Sequence, residues 1–527
     1  MADNLDDAEA EALAGLAEDG MPEPEAPGDA LFDTSHDGLA LDMGRLWTDA
    51  RHVASWGRWL FWSGAAWIPD ESLLHMTRTR TYLRDKGDEL VRWAQAEGDD
   101  KKLAACEAIA KTLRSAPMVA HVVGLARSNP DQVATVAQWD RDPYLLGTPA
   151  GTVDLRTGEL RQPSPDDYIT KLTAVAPAAA GTPCPLWTRT LARIFRHDAS
   201  IIPFLQRALG YALTGECKEH VLFFAWGMGG NGKGVVLNAA SGMLGDYAAV
   251  APQDMLLVTQ SDRHPCDMAM LRGARFVTAQ ELAPGRAWDE PKMKSLTGGD
   301  PVTARFMRQD FFTFQPQFTL FVAGNHKPAF KGVDQAIRRR VLLLPFLQNI
   351  PAEERDPALP EKLKAEWPAI LRWMIDGCLA WQRQGLDPPA SVRAATDDYL
   401  NAEDVLGQWL DERCIVSPRI DWTSLTSLYG AWKLWCDDRG QHPGTSTALS
   451  KKLDERGFRR EKRKTGAGFC GIGLAETASG DGNDTSAHID RIWNFPRAGA
   501  HTHANADYGE NCHFRHPADA DGAEIDL

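Results

Sequence analysis

The 527-residue chain contains no uninterrupted apolar run close to the roughly 20 residues that a membrane-spanning helix needs, so no membrane partner is expected. A basic segment followed by an apolar core is missing from its start, which argues against a secretory signal. Its nine cysteines are scattered singly with no C-x-x-C spacing, which argues against a zinc ribbon and fits a reducing cytoplasm. Lysine and arginine are absent from residues 1–38, where twelve Asp or Glu stand, and residues 477–527 hold nine acids against three arginines. These ends carry −12 and −6 of a formal net charge of −15, leaving +3 on the chain between them. The acidic total therefore does not exclude nucleic-acid binding.

What is present is an ordinary globular composition, 43% hydrophobic and 24% charged, long enough for several domains. Residues 1–44 are rich in Ala, Glu, Asp, Pro and Gly and read as a disordered acidic tail. The aromatic-rich stretch after Leu46 contains Trp56, Trp59, Trp62 and Trp67, and packing in a small sheet suits them better than base stacking. Residues 72–135 show helical periodicity, and Gly147, Gly151 and Gly158 punctuate short strands at 139–162. Two amphipathic helices are expected between Leu186 and Thr214.

The chemistry is declared at 221–238, VLFFAWGMGGNGKGVVLN, where an apolar strand breaks into a glycine-rich loop and resumes as a helix. Gly227, Gly229, Gly230, Asn231, Gly232, Lys233 and Gly234 make up the loop. Glycines let the backbone turn its amides inward on a phosphate chain, and Lys233 adds a point charge for the β- and γ-phosphates. The helix opening near Gly234 contributes its positive N-terminal dipole. Gly234 stands where a Mg²⁺-ligating Ser or Thr is usual, so the metal must be held by water, phosphates and a second carboxylate.

Further along, Phe276 to Ala279 reads as a core strand with Glu281 at its carboxyl end, placed to hold Mg²⁺ through water and to orient the attacking water. Thr303 to Arg308 and Phe311 to Phe314 suggest a hairpin carrying Arg305 and Arg308, with Lys292 and Lys294 just upstream. The bland reading is a solvated charged hairpin; the sharper one is a basic element contacting phosphates in a central channel. Phe318 to Ala323 is a third buried strand, ending at Gly324-Asn325, where an amide can bond both the γ-phosphate and the lytic water. Arg338, Arg339 and Arg340 precede another apolar strand, and one or two of them can reach a neighbouring subunit's γ-phosphate.

This order of parts, including LTGGDPVTAR at 296–305, resembles the superfamily 3 helicase domain of phage and plasmid primase-helicases, related to the poxvirus primase-helicase. The resemblance runs from about 139 to 346, with an expected continuation to 475, and implies an AAA+-like P-loop ATPase with a parallel sheet. It implies Lys233 as the Walker A lysine, Glu281 as the Walker B acid and metal contact, Asn325 as sensor, and Arg339 or Arg340 as arginine finger. It also implies ATP and Mg²⁺ as cofactors, a ring, usually a hexamer, on single-stranded and forked DNA, and 3′-to-5′ movement in a bacterial host cytoplasm. Fused relatives carry a primase domain ahead of the helicase, and no polymerising carboxylate cluster is seen here, so a separate primase is the expected partner.

Beyond 401, helical patterns are followed by FRREKR, Lys464-Thr465-Gly466 and GFCGIGL, which read as a hairpin, and together these suggest a winged-helix domain. A dense basic strip crosses it, including Lys452, Arg459 and Arg460 as DNA contacts. His501, His503, Cys512, His513 and His516 fit no standard zinc module. The expected organisation is an acidic tail (1–44), an α+β accessory region (45–135), a helicase-associated domain (136–215), the ATPase domain (216–350), a helical linker (351–400), a winged helix (401–475) and a second acidic tail (476–527). Two rival readings are an ATP-gated origin-binding or primase-recruiting scaffold and a small-molecule P-loop kinase, the latter disfavoured by LTGGDPVTAR and the basic C-terminal region.

Overall fold

The computed structural model describes residues 33–252, 254–259, 266–280, 285–308, 310–330 and 332–475. Glu281 and the tail histidines lie outside these residues. The end of the stretch expected as a tail is ordered. Ser35 accepts the Gly38 amide at 3.0 Å and caps helix α1 (His36–Leu46), whose Leu39, Ala40 and Met43 are buried. Three apolar residues on one helical face have enough surface to anchor a segment that its acidic surroundings disguise.

Strands β1 (Ala50–Val53), β2 (Arg58–Trp62) and β3 (Trp67–Pro69) form an antiparallel sheet, followed by helices α2 (Leu74–Glu97), α3 (Asp100–Leu113) and α4 (Ala116–Ala126). The tryptophans pack on one another: the Trp67 ring lies 5.7 Å from both Trp62 and Trp139. An antiparallel meander of β4 (Leu145–Thr148), β5 (Gly151–Asp154) and β6 (Glu159–Arg161) comes next, then helices α5 (Pro185–Ile194) and α6 (Ile201–Tyr211).

The central sheet is wholly parallel. Its strands are β7 (Leu222–Trp226), β8 (Ala248–Val250), β9 (Phe276–Ala279), β12 (Thr319–Gly324) and β13 (Val341–Pro345), in spatial order β13-β7-β12-β9-β8. Helix α7 (Lys233–Leu244) follows β7, and helix α8 (Glu290–Gly298) and the hairpin β10 (Val302–Arg305)–β11 (Phe311–Phe314) lie between β9 and β12. Alternate residues of β7 and β12 serve two separate cores. Phe223, Ala225, Phe321 and Ala323 face one, and Leu222, Phe224, Leu320 and Val322 face the other. Register pairs Phe321 with Phe223, and their rings stack at 4.6 Å. Burial on both faces explains why these strands read as continuous apolar runs; each large side chain so buried contributes roughly 1.5–3 kcal/mol.

A short helix α9 (Gln335–Arg338) leads into β13, and helices α10 (Trp367–Gln384) and α11 (Ala390–Glu403) follow. Expected as a linker, α10 and α11 instead close the two cores, α10 with Ile370, Met374 and Cys378 and α11 with Tyr399 and Leu400. Helices α6 and α10 cross at glycine: a Cβ on Gly210 would stand 2.1 Å from the Cys378 nitrogen, and one on Gly377 would stand 2.1 Å from the Gln206 carbonyl oxygen. Glu366 accepts the Leu186 and Trp187 amides at 2.9 Å each, which caps α5 from the start of α10. Arg275 donates to the carbonyls of Leu213 and Leu145 at 2.8 Å each and so ties the meander to the central sheet.

The last described region runs through α12 (Val405–Arg413), β14 (Cys414–Val416), β15 (Thr423–Ser424), α13 (Leu425–Asp438), α14 (Ser446–Glu455), β16 (Arg460–Arg463), β17 (Gly466–Phe469) and β18 (Ile472–Leu474). One three-stranded sheet has the order β15-β17-β16, and β14 pairs with β18. Trp409, Trp432, Trp435, Leu453 and Phe469 form its core.

Candidate nucleotide site

The glycine loop lies between the end of β7 and the start of α7. Gly230 (φ 76) and Gly232 (φ 85) adopt left-handed backbone there, which lets the chain turn sharply into the helix. Gly232 also touches α5, because a Cβ on it would stand 2.5 Å from the Ile194 side chain. Lys233 is the first residue of α7 and is buried. Its ammonium donates to the Gly227 carbonyl at 2.5 Å, to Asn231 Oδ1 at 3.1 Å and to Asn325 Oδ1 at 2.9 Å. Burial lowers its pKa from the ordinary lysine value. Asn231 in turn donates Nδ2 to the Phe346 carbonyl at 2.7 Å, which fixes the loop against the end of β13.

Lys233 and Asn325 thus meet because β7 and β12 are adjacent parallel strands whose C-terminal ends lie side by side. Open α/β sheets bind ligands at that edge. Gly234 is exposed, and the nearest atom to a Cβ placed there is Asn238 Nδ2 at 3.9 Å. Asn238 Oδ1 accepts Gln280 Nε2 at 3.2 Å, so the residue before Glu281 reaches the second turn of α7. Among the described residues no group of three or more His, Cys, Asp or Glu is placed to hold a metal ion. No helix among them is long and apolar enough to cross a membrane.

The three consecutive arginines have different surroundings. Arg338 donates to Asn401 Oδ1 at 3.0 Å and pairs with Asp404 at 3.4 Å; Asp404 also pairs with Arg456 and caps α12 through the Gly407 amide at 2.9 Å. Arg340 is buried and donates to the Ala336 carbonyl at 3.0 Å; burial and then the like charge of Arg339 lower its pKa. Arg339 is exposed, and its guanidinium forms no hydrogen bond or ion pair among the described residues.

Lys294, on α8, pairs with Asp334 at 2.5 Å. Arg305 stands 5.0 Å from the Phe311 ring centroid on the hairpin. Arg308 sits in the turn with φ 61, flanked by exposed Phe306, Met307 and Phe311. In the last region Arg459 pairs with Glu461 at 3.1 Å, while exposed Lys452 and Arg460 form no ion pair among the described residues.

Sequence reasoning missed the bond from Gln280 to Asn238, which only its place one residue before a strand-end acid could have suggested. It also missed Arg355, which lies beyond the last core strand in the acidic segment PAEERDP and carries no motif.

Residues 44–196 match the family described as D5 N terminal like, and residues 225–340 match a family of unknown function, DUF5906. The chain is 25% identical over 333 residues to "Putative helicase L207/L206" of Acanthamoeba polyphaga mimivirus, covering 56% of this chain and 33% of that protein. It is 26% identical over 317 residues to "Putative helicase 022R" of Frog virus 3 (isolate Goorha), covering 53% of this chain and 31% of that protein. The chain therefore spans about a third of the length of these curated relatives. Among solved structures, the apo NrS-1 C terminal region (305-718) is similar at 12% identity and a TM-score of 0.38, over 68% of this chain and 89% of that one. The chain thus carries one region like the D5 N-terminal-like family and one like DUF5906, and it is similar to viral proteins that bear the name "Putative helicase".

Proposed function

We propose that this protein is an ATP-dependent DNA helicase of superfamily 3 that hydrolyses ATP between the subunits of a ring, most simply a hexamer, and moves along single-stranded DNA at a fork. The observation that carries this reading is the meeting of Lys233 with Asn325 at the C-terminal edge of a parallel sheet, directly beside the glycine loop. With ATP bound, the loop amides and Lys233 would hold the phosphate chain, and Asn325 would turn its amide to the γ-phosphate and the attacking water. Glu281 would orient and polarise that water.

Arg339 is the arginine free to cross to a neighbour's site, since Arg338 is engaged with Asp404 and Arg340 is buried. A guanidinium delivered this way stabilises the charge that develops on the transferring phosphoryl group and is worth roughly 10³-fold or more in rate. The space at Gly234 is open and lies beside the bonded side chains of Asn238 and Gln280; there Glu281, with these amides, would hold a hydrated Mg²⁺ through its waters. Such an ion neutralises phosphate charge when bound.

Arg305 and Arg308 on the hairpin would follow the DNA backbone. The strand order β15-β17-β16 with α12, α13 and α14 supports a winged helix, whose Lys452, Arg459 and Arg460 would bind duplex or forked DNA. The test is ATP hydrolysis by purified protein with and without single-stranded DNA, alongside its mass in solution and strand displacement from a fork. DNA-stimulated turnover and unwinding by a ring-sized species are expected. Nucleotide binding and assembly without strand displacement would favour the ATP-gated scaffold instead.

A further inference from the structure

The segment from Phe346 to Arg355 forms a strap across the glycine loop. The Phe346 carbonyl accepts Asn231 Nδ2 at 2.7 Å, and the Ile350 amide donates to the Gly230 carbonyl at 3.1 Å. Its far end is fixed to α5, where Arg193 pairs with Glu354 and donates to the Glu354 carbonyl at 3.2 Å. At that end Arg355 folds back over the loop. Its Nε donates to the Ile350 carbonyl at 2.8 Å, and its Nη2 lies 2.1 Å from where a Cβ on Gly230 would stand.

The choice of neighbour is informative, because Arg355 sits among acids. Glu354 is taken by Arg193, and Asp356 pairs with Lys362 at 2.6 Å. Arg355 pairs with no carboxylate among the described residues and rests instead on the neutral backbone of the glycine loop. With Nε anchored, its two terminal nitrogens form no hydrogen bond among the described residues. An anchored planar fork with free donors beside a phosphate-cradling loop is suited to bidentate recognition of phosphate oxygens. The site has reason to need the charge, because Gly234 supplies no hydroxyl and the buried Lys233 ammonium is shared among Gly227, Asn231 and Asn325.

We propose that Arg355 is a second cationic contact for the nucleotide's phosphate chain, delivered by the strap within the same subunit. This rests on the reading of residues 227–234 as the nucleotide loop. Gly230 leaves open the space in which the guanidinium stands, so the strap and the loop act as one device selective for nucleoside di- and triphosphates over unphosphorylated nucleosides.

The test is calorimetric titration of the full chain, wild type and variants, with ATP, ADP and adenosine, accompanied by melting temperatures. Arg355→Ala is expected to weaken ATP and ADP binding roughly 10- to 100-fold while leaving adenosine binding and the melting temperature near wild type. Arg355→Lys, which keeps the charge but loses the fork, is expected to fall between them, and it serves if the alanine variant does not fold. Unchanged or tighter ATP binding by the folded variants, with binding still abolished by Lys233→Ala, would overturn the role of Arg355 and leave the loop assignment intact. Failure of the wild type to bind ATP would overturn both.

Discussion

The Lys233 ammonium and the Asn325 side-chain oxygen, 92 positions apart in sequence, stand 2.9 Å from each other. Neighbouring parallel strands hold them there, so the contact reports the sheet order as much as the chemistry. Asn325→Ala should keep ATP affinity within a few-fold while cutting turnover roughly 10²- to 10³-fold, as loss of a group acting chiefly in the transition state does. Lys233→Ala should lose both. Steady-state hydrolysis and equilibrium binding on the same preparations separate the two; an alanine at 325 with undiminished turnover would remove the sensor role.

Arg339 and its neighbours make a prediction that depends on which molecule supplies the residue. Arg339→Ala should be inactive alone yet bind ATP. Mixed with Lys233→Ala, it should recover part of the activity, because some interfaces then join an intact loop to an intact arginine. Arg338→Ala should instead lower stability, by about 1–3 kcal/mol, since Asp404 is only 10% exposed and would lose one of its two arginine partners. Activity recovery in mixtures and denaturant unfolding of the single variants check the two halves of this prediction.

How much of this was legible follows from where the physics is local. Val221–Ala225, Phe276–Ala279 and Phe318–Ala323 read as buried strands because both faces of a parallel sheet are covered, and the observed strands are Leu222–Trp226, Phe276–Ala279 and Thr319–Gly324. The glycine loop read equally well, since left-handed backbone at Gly230 and Gly232 demands the residue type seen. Contacts made between distant segments did not. Nothing local in PAEERDP tells that Arg355 folds back on Gly230, nor in IRRRV which arginine is buried. Helices α10 and α11 looked like a linker because their apolar faces gain meaning only from α6 and β13, to which they pack.

Arg308 keeps a bulky residue at φ 61, where glycine would sit without strain. That conformation costs a non-glycine residue roughly 1 kcal/mol, so the side chain is retained against the local preference. Arg308→Gly should therefore leave stability equal or up to about 1 kcal/mol higher while weakening single-stranded DNA binding. The salt dependence of binding should also become shallower by about one charge, which titrations at several ionic strengths would show. Equal affinity at every salt concentration would mean that the turn does not touch DNA.

Gly234 is exposed and open on its side-chain face, so Gly234→Ser fits without displacing a neighbour. Serine is also the better helix former by a few tenths of a kcal/mol, and its hydroxyl would stand one residue after Lys233. The variant should fold at least as well and reach half-maximal ATPase activity at a lower Mg²⁺ concentration. A higher Mg²⁺ requirement would show that the glycine is needed for close approach of the nucleotide rather than tolerated in place of a hydroxyl.

Asp70 gives a pH prediction whose sign is fixed by its surroundings. Burial alone would raise its pKa, but the His75 amide and ring and the amides of Leu74 and Ser72 bond its carboxylate and together lower it from 3.8 to about 2. Its side chain is only 1% exposed, so these bonds are poorly screened by solvent. A carboxylate held below its unfolded value stabilises the fold above pH 3.8, and that stability is lost as pH falls through about 2. A displacement of this size is worth about 2 kcal/mol. Asp70→Asn removes the charge and the second acceptor oxygen, so it should be less stable than wild type at pH 6 by about that amount. The gap should narrow as pH falls from about 4 to 2, because the wild type loses there what the variant never had. Denaturant unfolding of both proteins at a series of pH values measures the gap directly, and a gap that stays constant across that window would show that the carboxylate's charge contributes nothing to holding α2 against the N-terminal sheet.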